Sequence, residues 1–426
     1  MPFWKSTNVK SLLFSLGYLS LAYTSFSQDN SPYSRFALGN LRPSENVAFK
    51  GMAGVCLADD NPLIANPSNP ATYAGLKMTS YQVAVDATLL TIKNSLTSYR
   101  TGGATLTYVN IGFPISKKTG MSFGLMPQTR SKYSLSEIKD LGFTTATNSY
   151  YGGGGLQRIY AGIGHKIGWL SGGINLGYTF GNLVNTTESS FTDSSKLLSN
   201  NITGRTTYNG FFWQAGLAFT YDIKKDHSIK AGISYSGNQS LRANNETYWQ
   251  SFIGNVNDPS YVAKVDSNSN VKGTAKLPAN LGMGIQYRSG DYWQVGLDVL
   301  RSSWSTFTRY NNADSTGDYM SIRLGGAITP DVNSVTNYWK KMTYRAGIYT
   351  GQDIFQFGNQ AIRANGVTIG VGYPVRRTNL SIGQINASFD VGQRGTTANG
   401  LLSERYTKFS VGFTFNDKWF IKRRYD

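Results

Sequence analysis

The sequence has little cysteine, histidine or charge, and these shortages argue against several classes of protein. Its 426 residues include one cysteine, Cys56, so no internal disulfide can form, and a cysteine without metal-ligand spacing is most simply a packing residue. Charged residues make up 15% of the chain, well below the ~25% of an average soluble domain. No internal stretch reaches the ~18 apolar residues of a membrane-spanning helix. A disulfide framework and a helical membrane protein are both disfavoured.

Glycine and aromatic residues are abundant instead. The chain contains 47 glycines, 27 tyrosines, 22 phenylalanines and 8 tryptophans. Low charge with many glycines and aromatics is typical of outer-membrane barrels, which have an apolar lipid face, aromatic rims and small residues in the lumen. The net charge is +17, and the basic residues lie in short turns rather than in one block. We therefore expect an anionic membrane surface, and no nucleic acid, beside this basic chain.

The N-terminus has the pattern of a secretory signal peptide, which we assign to residues 1–27. Lys5 and Lys10 form a basic start, and an apolar region over 12–22 follows them. Small residues end the pattern, so cleavage is expected near Ser27. No cysteine follows that site, and we therefore expect no lipid anchor on the mature chain.

Alternation of apolar and polar residues dominates the chain from residue 77 to residue 420. This period of two is that of β-strands with one apolar face, although a soluble sandwich shows it as well. Fourteen strands are predicted, at 78–92, 103–115, 119–137, 155–166, 170–182, 207–222, 227–243, 271–288, 291–302, 319–327, 341–354, 364–374, 379–392 and 404–416.

The links between these strands favour a membrane barrel over a sandwich. Short turns mostly alternate with long polar links, which are predicted at 138–154, 183–206, 244–270 and 303–318. Short turns at one end and long loops at the other are the pattern of a transmembrane barrel, and only the link 328–340 breaks it. The sequence predicts an all-β fold, a transmembrane antiparallel β-barrel of about 14 strands over 77–420, with a basic periplasmic tail over 421–426.

Residues 28–76 precede the barrel and have a different pattern. Asn-Pro steps at 61–62, 66–67 and 69–70 fit neither a helix nor a central strand, because proline lacks a backbone donor and restricts the residue before it. We predict that this segment is an N-terminal hatch, or plug, in the lumen of the barrel. A linker of turns and a periplasmic tether remain the alternatives.

Motifs of catalytic chemistry are present but weak. Ser122 lies in a G-x-S-x-G match inside an alternating strand, without the strand–turn–helix context of a nucleophile elbow. His165 and His227 are the two histidines, and neither is placed to activate a serine. The run Gly152–Gly155 is interpreted as a flexible loop tip, because no helix follows that could cradle a phosphate. We predict no enzyme, no catalytic residue, no metal and no cofactor.

Several stretches resemble the long-chain fatty-acid transporter (FadL-type) family of Gram-negative outer membranes. Asp59 and Asp60 followed by Asn69, Pro70 and Ala71 are similar to the hatch motif of that family. Two later stretches are similar to its barrel strands, namely Lys276–Tyr287 with its Leu-Pro opening and Trp293–Val299 with the Trp304-Ser305 step after it. The resemblance implies a hatch-filled barrel that passes hydrophobic, fatty-acid-like molecules through a side opening in its wall.

The same resemblance includes relatives that carry no fatty acid. A non-transporting barrel subunit of an outer-membrane complex for protein secretion or assembly is therefore the alternative function. The segment 31–39 departs from the N-terminus of the best-known transporters, which leaves the ligand open. We expect integral outer-membrane localisation with both termini periplasmic. The expected partners are the membrane lipid and a hydrophobic ligand, with an outer-membrane protein complex under the alternative function.

Two further expectations concern particular side chains. Within the hatch, Asp59 and Asp60 should pair with inward basic or hydroxyl groups. The candidates to line the lumen or contact a hydrophobic ligand are Phe36, Phe49, Leu63 and Ile64. The last strand, through 410–415, resembles the signal that the barrel-assembly machinery is expected to recognise.

Overall fold

The fold is a closed antiparallel β-barrel of fourteen strands, as predicted. A computed structural model describes residues 30–418 apart from 44, 192–196, 256–257, 335 and 378–380, so the predicted signal peptide and basic tail lie outside the described residues. The strands are β1 Thr79–Lys93, β2 Ser98–Pro114, β3 Thr119–Pro127 continued by Thr129–Asp140, β4 Thr145–Ile167, β5 Leu170–Phe191, β6 Ser199–Lys224, β7 His227–Ser236 continued by Gln239–Asn255, β8 Asp258–Leu277 continued by Asn280–Ser289, β9 Trp293–Ser302, β10 Tyr319–Ile328, β11 Thr343–Phe357, β12 Gln360–Arg377, β13 Ser381–Gly395 and β14 Ser403–Asp417.

The barrel closes where its first and last strands pair. β1 and β14 are in register over their whole length, from Thr79 opposite Asp417 to Lys93 opposite Ser403. This pairing removes the two edges that the first and last strands would otherwise expose to lipid.

The alternating sequence of each strand produces two different faces of the wall. On β1 the exposed residues are Tyr81, Val83, Val85 and Leu89, and the buried residues between them include Gln82, Asp86 and Thr88. Successive side chains of a strand point to opposite faces, so the apolar set forms the outer surface and the polar set faces the lumen. The outer surface is suited to lipid.

Helical structure in the described chain is short. Two one-turn α-helices are present, α1 Val47–Lys50 and α2 Tyr338–Lys341. The 3-10 turns are Pro32–Arg35, Pro70–Gly75, Trp304–Thr306 and Ala398–Gly400, and two-residue strands lie at Asn40–Leu41, Thr308–Arg309 and Asn312–Ala313. No helix among the described residues has the length and apolarity to span a membrane.

Three predicted long loops are wrong. The segments 138–154, 183–206 and 244–270 consist largely of strand continuations that pair with their neighbours. Their sequences lack strong alternation because both faces of the sheet can be polar outside a bilayer. Gly152–Gly155 likewise lies within β4 and not at a loop tip. The link 328–340 is irregular as expected and contains the start of α2.

The barrel wall is taller on one side. Strands β4, β5 and β6 have 23, 22 and 26 residues, whereas β9 and β10 have 10 each. About 9–11 residues suffice for a tilted strand to cross a bilayer. The extra residues of the tall side therefore project beyond the bilayer at the end of the barrel opposite Asp417.

Residues 30–76, called the N-terminal segment below, pack against the inner face of this wall. Glycines on twelve strands have segment atoms so close that a Cβ would lie within 3 Å of them, namely Gly112, Gly120, Gly164, Gly173, Gly216, Gly232, Gly284, Gly296, Gly325, Gly347, Gly370 and Gly412. At Gly173, for example, the ideal Cβ position is 2.4 Å from the carbonyl carbon of Pro70. Small residues on the inner face thus let the backbone of the segment approach the wall.

The N-terminal segment runs from one end of the barrel to the other. Ser31 donates to Glu404 at 2.7 Å, near the beginning of β14, whereas Ser80 at the opposite end donates to the carbonyl of Leu63 at 2.8 Å. Asn30 and Lys418 therefore lie at opposite ends of the barrel. The chain termini themselves lie outside the described residues, so the periplasmic location of both stays a prediction.

Candidate functional site

The two aspartates of the predicted hatch motif are bound to the wall. Asp59 is buried, and its carboxylate accepts hydrogen bonds from the side-chain amides of Gln286 at 3.1 Å and Gln294 at 3.2 Å. Asp60 forms an ion pair with Lys230 of β7. Asp60 thus has the basic partner expected of it, whereas Asp59 is held by amides rather than by basic or hydroxyl groups.

The Asn-Pro-Ala part of the motif joins the segment to itself and to the wall. The amide of Asn69 donates to the carbonyls of Leu57 at 2.7 Å and Leu217 at 3.0 Å, and its oxygen accepts from the backbone of Ala71. Asn69 therefore caps the 3-10 turn that starts at Pro70, where a missing N–H costs nothing. The carbonyl of Pro70 lies against Gly164 and Gly173.

The four predicted ligand-lining residues are dispersed. Phe49 and Ile64 are buried in a cluster with Cys56, Ala48 and Met52, where burial raises the pKa of the Cys56 thiol. Phe36 packs edge-to-face on Phe357 with 4.9 Å between ring centres. Leu63 is half-buried, and its carbonyl accepts from Ser80 and Asn416. The cavities described below are lined by other residues, so ligand contact by these four stays a prediction.

One seam of the barrel wall is incomplete. β2 and β3 pair only from Val109 opposite Leu125 to Pro114 opposite Gly120. Beyond this point β3 contains Pro127, which cannot donate a backbone hydrogen bond, and the described pairing of β2 continues with β1 alone. The wall therefore has a gap between the far halves of β2 and β3.

The N-terminal segment covers the strand edge that this gap exposes. Asn40 and Leu41 pair with Arg130 and Thr129 of β3 as a short antiparallel ladder. The backbone N–H of Ser31 also donates to the carbonyl of Lys132 at 2.9 Å. Segment residues thus occupy the edge of β3 that β2 leaves unpaired.

A cavity of about 250 Å³ lies next to this gap. The segment contributes Leu38, Leu41 and Leu57 beside Arg42 and Glu45, and the rest of the lining combines apolar with polar side chains. The large apolar ones are Met126, Leu156, Phe212, Leu277, Leu281, Leu300 and Trp304. Met126, Gln128 and Thr129 belong to the part of β3 where the strand breaks, so the cavity adjoins the gap.

Arg158 is one of the charged residues that line this cavity, and it differs from the others in its bonding. Its Nε donates to Thr179 at 3.3 Å, and its guanidinium carbon lies 3.4 Å from the ring centre of Phe212. No carboxylate of the described residues forms an ion pair with it, whereas Arg323 and Arg394 in the same lumen are paired with acids. A cation with one weak hydrogen bond in such a cavity retains donors for an anionic group.

A second cavity of about 240 Å³ lies across the segment from the first and has more charged residues in its lining. Residues of the stretch 41–45 line both cavities, and Glu45 in this stretch is bound to Arg323 of β10 at 2.6 Å. Acids and bases alternate on the walls of the second cavity, including Asp86, Asp353, Asp390, Arg394, Glu404 and Lys408. The segment thus lies between two cavities, of which the second has the larger number of acidic and basic side chains.

Apolar packing fills the end of the lumen where β14 begins. Tyr33 and Leu38 of the segment belong to a buried cluster with side chains from the surrounding strands, including Leu156, Leu183, Tyr208, Leu241, Ile354 and Phe355. Trp304 and Phe307 join this cluster, so part of the link 303–318 folds inward. That link was predicted as a polar outer loop, and the prediction is wrong for these two aromatic residues.

Sequence reasoning missed most of the cavity, although one signal was available. Leu156 and Phe212 are large apolar residues at positions where the alternation calls for the polar, inward face. An inward apolar side chain in a wide barrel needs a partner or a ligand. Arg158 had no comparable signal, because its isolation depends on which side chains surround it.

The weak catalytic match separates in three dimensions. Ser122 is buried and bonds with the hydroxyl of Tyr160 at 3.1 Å, whereas His165 is exposed and bonds with Thr119 at 2.8 Å. His227 bonds with Tyr287 at 2.7 Å. Among the described residues no group of three or more His, Cys, Asp or Glu side chains could hold a metal ion.

Comparison with known proteins identifies the family. The sequence profile of the BamG family matches residues 9–426, nearly the whole chain. The protein belongs to the BamG family. No curated protein sequence matches this BamG-family chain.

Solved structures share the fold of this BamG-family protein. The Ralstonia pickettii toluene transporter TbuX has a TM-score of 0.54 at 14% identity, with 87% of this chain and 98% of that chain covered. The Pseudomonas putida toluene transporter TodX has 0.53 at 14%, with 90% and 100% covered. A Pseudomonas aeruginosa FadL homologue has 0.53 at 13%, with 89% and 98% covered. The FadL-type resemblance therefore holds for the fold, while the family is BamG.

Proposed function

We propose that this BamG-family protein is an integral outer-membrane channel for hydrophobic molecules, with residues 28–76 as a hatch that gates passage. The observation that carries the proposal is the gap between β2 and β3 beside a cavity with several large apolar side chains. A hydrophobic molecule can move between such a cavity and the bilayer without crossing the polar parts of the lumen. The end of the lumen where β14 begins is filled by apolar packing and offers no comparable route.

The N-terminal segment supplies a physical basis for gating. Asn40, Leu41 and Ser31 hold the free edge of β3 by hydrogen bonds. Ser31 and Asn40 are bound in turn to the Arg394 network. Release of this short ladder would open the gap while the hatch stays anchored deeper in the lumen by ion pairs such as Lys50 with Asp86 at 2.6 Å. Gating thus needs a local movement and not ejection of the hatch.

The ligand class follows from Arg158. A cavity with several large apolar side chains and an under-bonded guanidinium suits an amphiphile with an acidic head and a hydrocarbon tail. Phe212 beneath the guanidinium keeps the charge in place by a cation–π contact. We therefore expect fatty-acid-like acids to bind more tightly than neutral hydrocarbons of similar apolar area.

Replacement of Arg158 tests this ligand class. Arg158→Gln should weaken binding of laurate to the purified protein roughly 10- to 100-fold, as loss of a charge-assisted hydrogen bond would, and leave toluene binding unchanged. The matched control is Lys408→Gln, which removes a cation from the second cavity and should leave laurate binding intact. Laurate affinity that is equal in the parent and the Arg158 variant would contradict the proposal.

Orientation is part of the same proposal. The end with Lys117, Lys118, Lys224 and Lys225 in short turns is expected to face the periplasm, and the tall side of the wall to face outward. An epitope inserted after Gly142, in the exposed turn 141–144, should be labelled on intact cells. Labelling only after permeabilisation would reverse the topology.

A barrel subunit of an outer-membrane protein complex is the second candidate, and one observation favours it. Ile138 and Phe143 at the end of the tall side are 72% and 78% exposed, beyond the part of the wall that a bilayer covers. Exposed apolar side chains in water often mark a contact surface. A photo-cross-linking residue at Phe143 in native membranes should then capture one specific membrane protein. A single strong cross-link together with no laurate binding would favour this candidate over transport.

A further inference from the structure

The outer face of the wall changes from apolar to basic between two neighbouring rows of paired residues. The row Ile348, Val367, Val391, Thr407, Leu89 and Gly102 crosses β11, β12, β13, β14, β1 and β2 in direct register. Four of its members are large exposed apolar side chains, with Leu89 at 66%. Two residues further along each strand, the row reads Thr350, Asn365, Gln393, Arg405, Thr91 and Arg100. The first row belongs to a lipid-facing surface and the second to its border.

On the Asp417 side of these two rows, the same strands continue the apolar surface. The next row toward Asp417 contains Ile369, Phe389, Phe409 and Ala87, again in register. Side chains of this kind are stable against acyl chains and not against water. Arg100 and Arg405 therefore lie at the level of lipid headgroups, at the barrel end that carries the turns 94–97 and 396–402.

Four basic side chains lie at or near the border. Arg100 and Arg405 are exposed and flank Thr91 on the two neighbouring strands, and Lys93 and Arg363 lie one row further out. None of these four cations forms a hydrogen bond or ion pair within the described part of the chain. The nearby carboxylates of Glu404 and Asp390 point inward, where Arg394 and Lys408 are their partners.

A shallow groove of about 810 Å³ joins the two rows. Leu89, Val367 and Val391 form its apolar part, and Arg100 and Arg405 lie in its polar part. Gly366 and Gly392 also line it, and the side chains of Tyr349 and Tyr406 pack against these two glycines. The groove thus combines a surface for an acyl chain with two free guanidinium groups above it.

We propose that this groove binds a lipid with a phosphorylated headgroup, with phosphate oxygens on Arg100 and Arg405 and an acyl chain along Leu89, Val391 and Val367. Guanidinium groups match phosphate geometry with paired hydrogen bonds, and Lys93 and Arg363 add attraction without competing acids. The apolar row selects a lipid over a free phosphate. The site is separate from the lumen and from the proposed transport route.

Native mass spectrometry of the full chain in mild detergent tests the proposal. The probe is palmitoyl-oleoyl phosphatidic acid, compared with phosphatidylcholine of the same chains. We expect the parent to retain phosphatidic acid preferentially and Arg100→Gln with Arg405→Gln to weaken retention at least about tenfold, since each cation near a lipid surface contributes a several-fold attraction. The matched control, Lys117→Gln with Lys118→Gln, removes two exposed cations at the opposite end and should leave retention unchanged.

The remaining outcomes also decide the matter. Equal retention of phosphatidic acid by the parent and the Arg100/Arg405 variant would overturn the site. Displacement of the lipid by millimolar inorganic phosphate would overturn the assignment to a lipid. Folding is checked by the shift between heated and unheated gels, which should be the same for both variants as for the parent. If the Arg100/Arg405 variant fails to fold, Lys93→Gln with Arg363→Gln provides a second, weaker test and should reduce retention of phosphatidic acid several-fold.

Discussion

Deletion of residues 30–74, with the signal region kept, should give an inserted barrel with greatly raised conductance in planar bilayers and greater antibiotic sensitivity. The reason is geometric. A barrel of fourteen strands has a lumen wide enough for water and small solutes unless something fills it, and this segment contacts the inner face of twelve strands through their glycines. An inserted deletion variant that stays as tight as the parent would refute the hatch.

A pair of adjacent glycines provides a finer version of the same test. In Gly173→Val the new side chain would collide with the backbone of Pro70 and Ala71, whereas in Gly172→Val the Cβ meets only Leu217 at 3.9 Å. The two residues lie on opposite faces of β5. We expect Gly173→Val to loosen the segment, with raised conductance and faster proteolysis near Pro70, and Gly172→Val to behave as the parent.

Phe413→Asp combined with Phe415→Asp should block insertion of the barrel. Both phenylalanines are on the outer face of β14, at 51% and 46% exposure, so each substitution puts a carboxylate against lipid. Each aspartate destabilises the inserted barrel by less than the ~2–4 kcal/mol of a lysine or arginine at the bilayer midplane. The two penalties add, and they fall on the strand expected to carry the assembly signal.

Two carboxylates outside the lipid band provide the control for this variant. Leu96→Asp with Thr97→Asp adds the same charge in the exposed turn 94–97 and should leave insertion unchanged. Membrane levels and the shift between heated and unheated gels measure the outcome. Normal levels of the Phe413/Phe415 variant would count against the role of β14.

Much of the barrel could be predicted from the sequence, because a lipid-facing wall imposes strict alternation. Val83, Val85 and Leu89 show this pattern in β1, and fourteen such runs gave the strand number. The predicted loops 138–154 and 183–206 failed because strands that leave the bilayer lose the apolar face on which the pattern depends. Pairing there is held by the backbone ladder with neighbouring strands, which composition does not reveal.

The candidate site was less accessible to sequence reasoning. Asp60 could be expected to have a basic partner, but its pairing with Lys230 joins residues 170 positions apart and depends on the closed fold. The gap beside Pro127 arises from where β2 and β3 stop pairing, and the isolation of Arg158 depends on the absence of a nearby carboxylate. Such features are properties of the assembled lumen rather than of any local pattern.

A disulfide that ties the hatch to the edge of β3 tests the central claim, hatch-gated passage through the wall, most directly. Leu41 and Thr129 are opposite residues in the short ladder, at a spacing that antiparallel pairs and disulfides share. With Cys56→Ala as background, Leu41→Cys and Thr129→Cys can be oxidised in purified protein reconstituted into vesicles, and uptake of labelled laurate measured. The account predicts uptake that stops on oxidation and returns on reduction, with single-cysteine controls unaffected. Uptake that continues at the parental rate with the cross-link fully formed would contradict it.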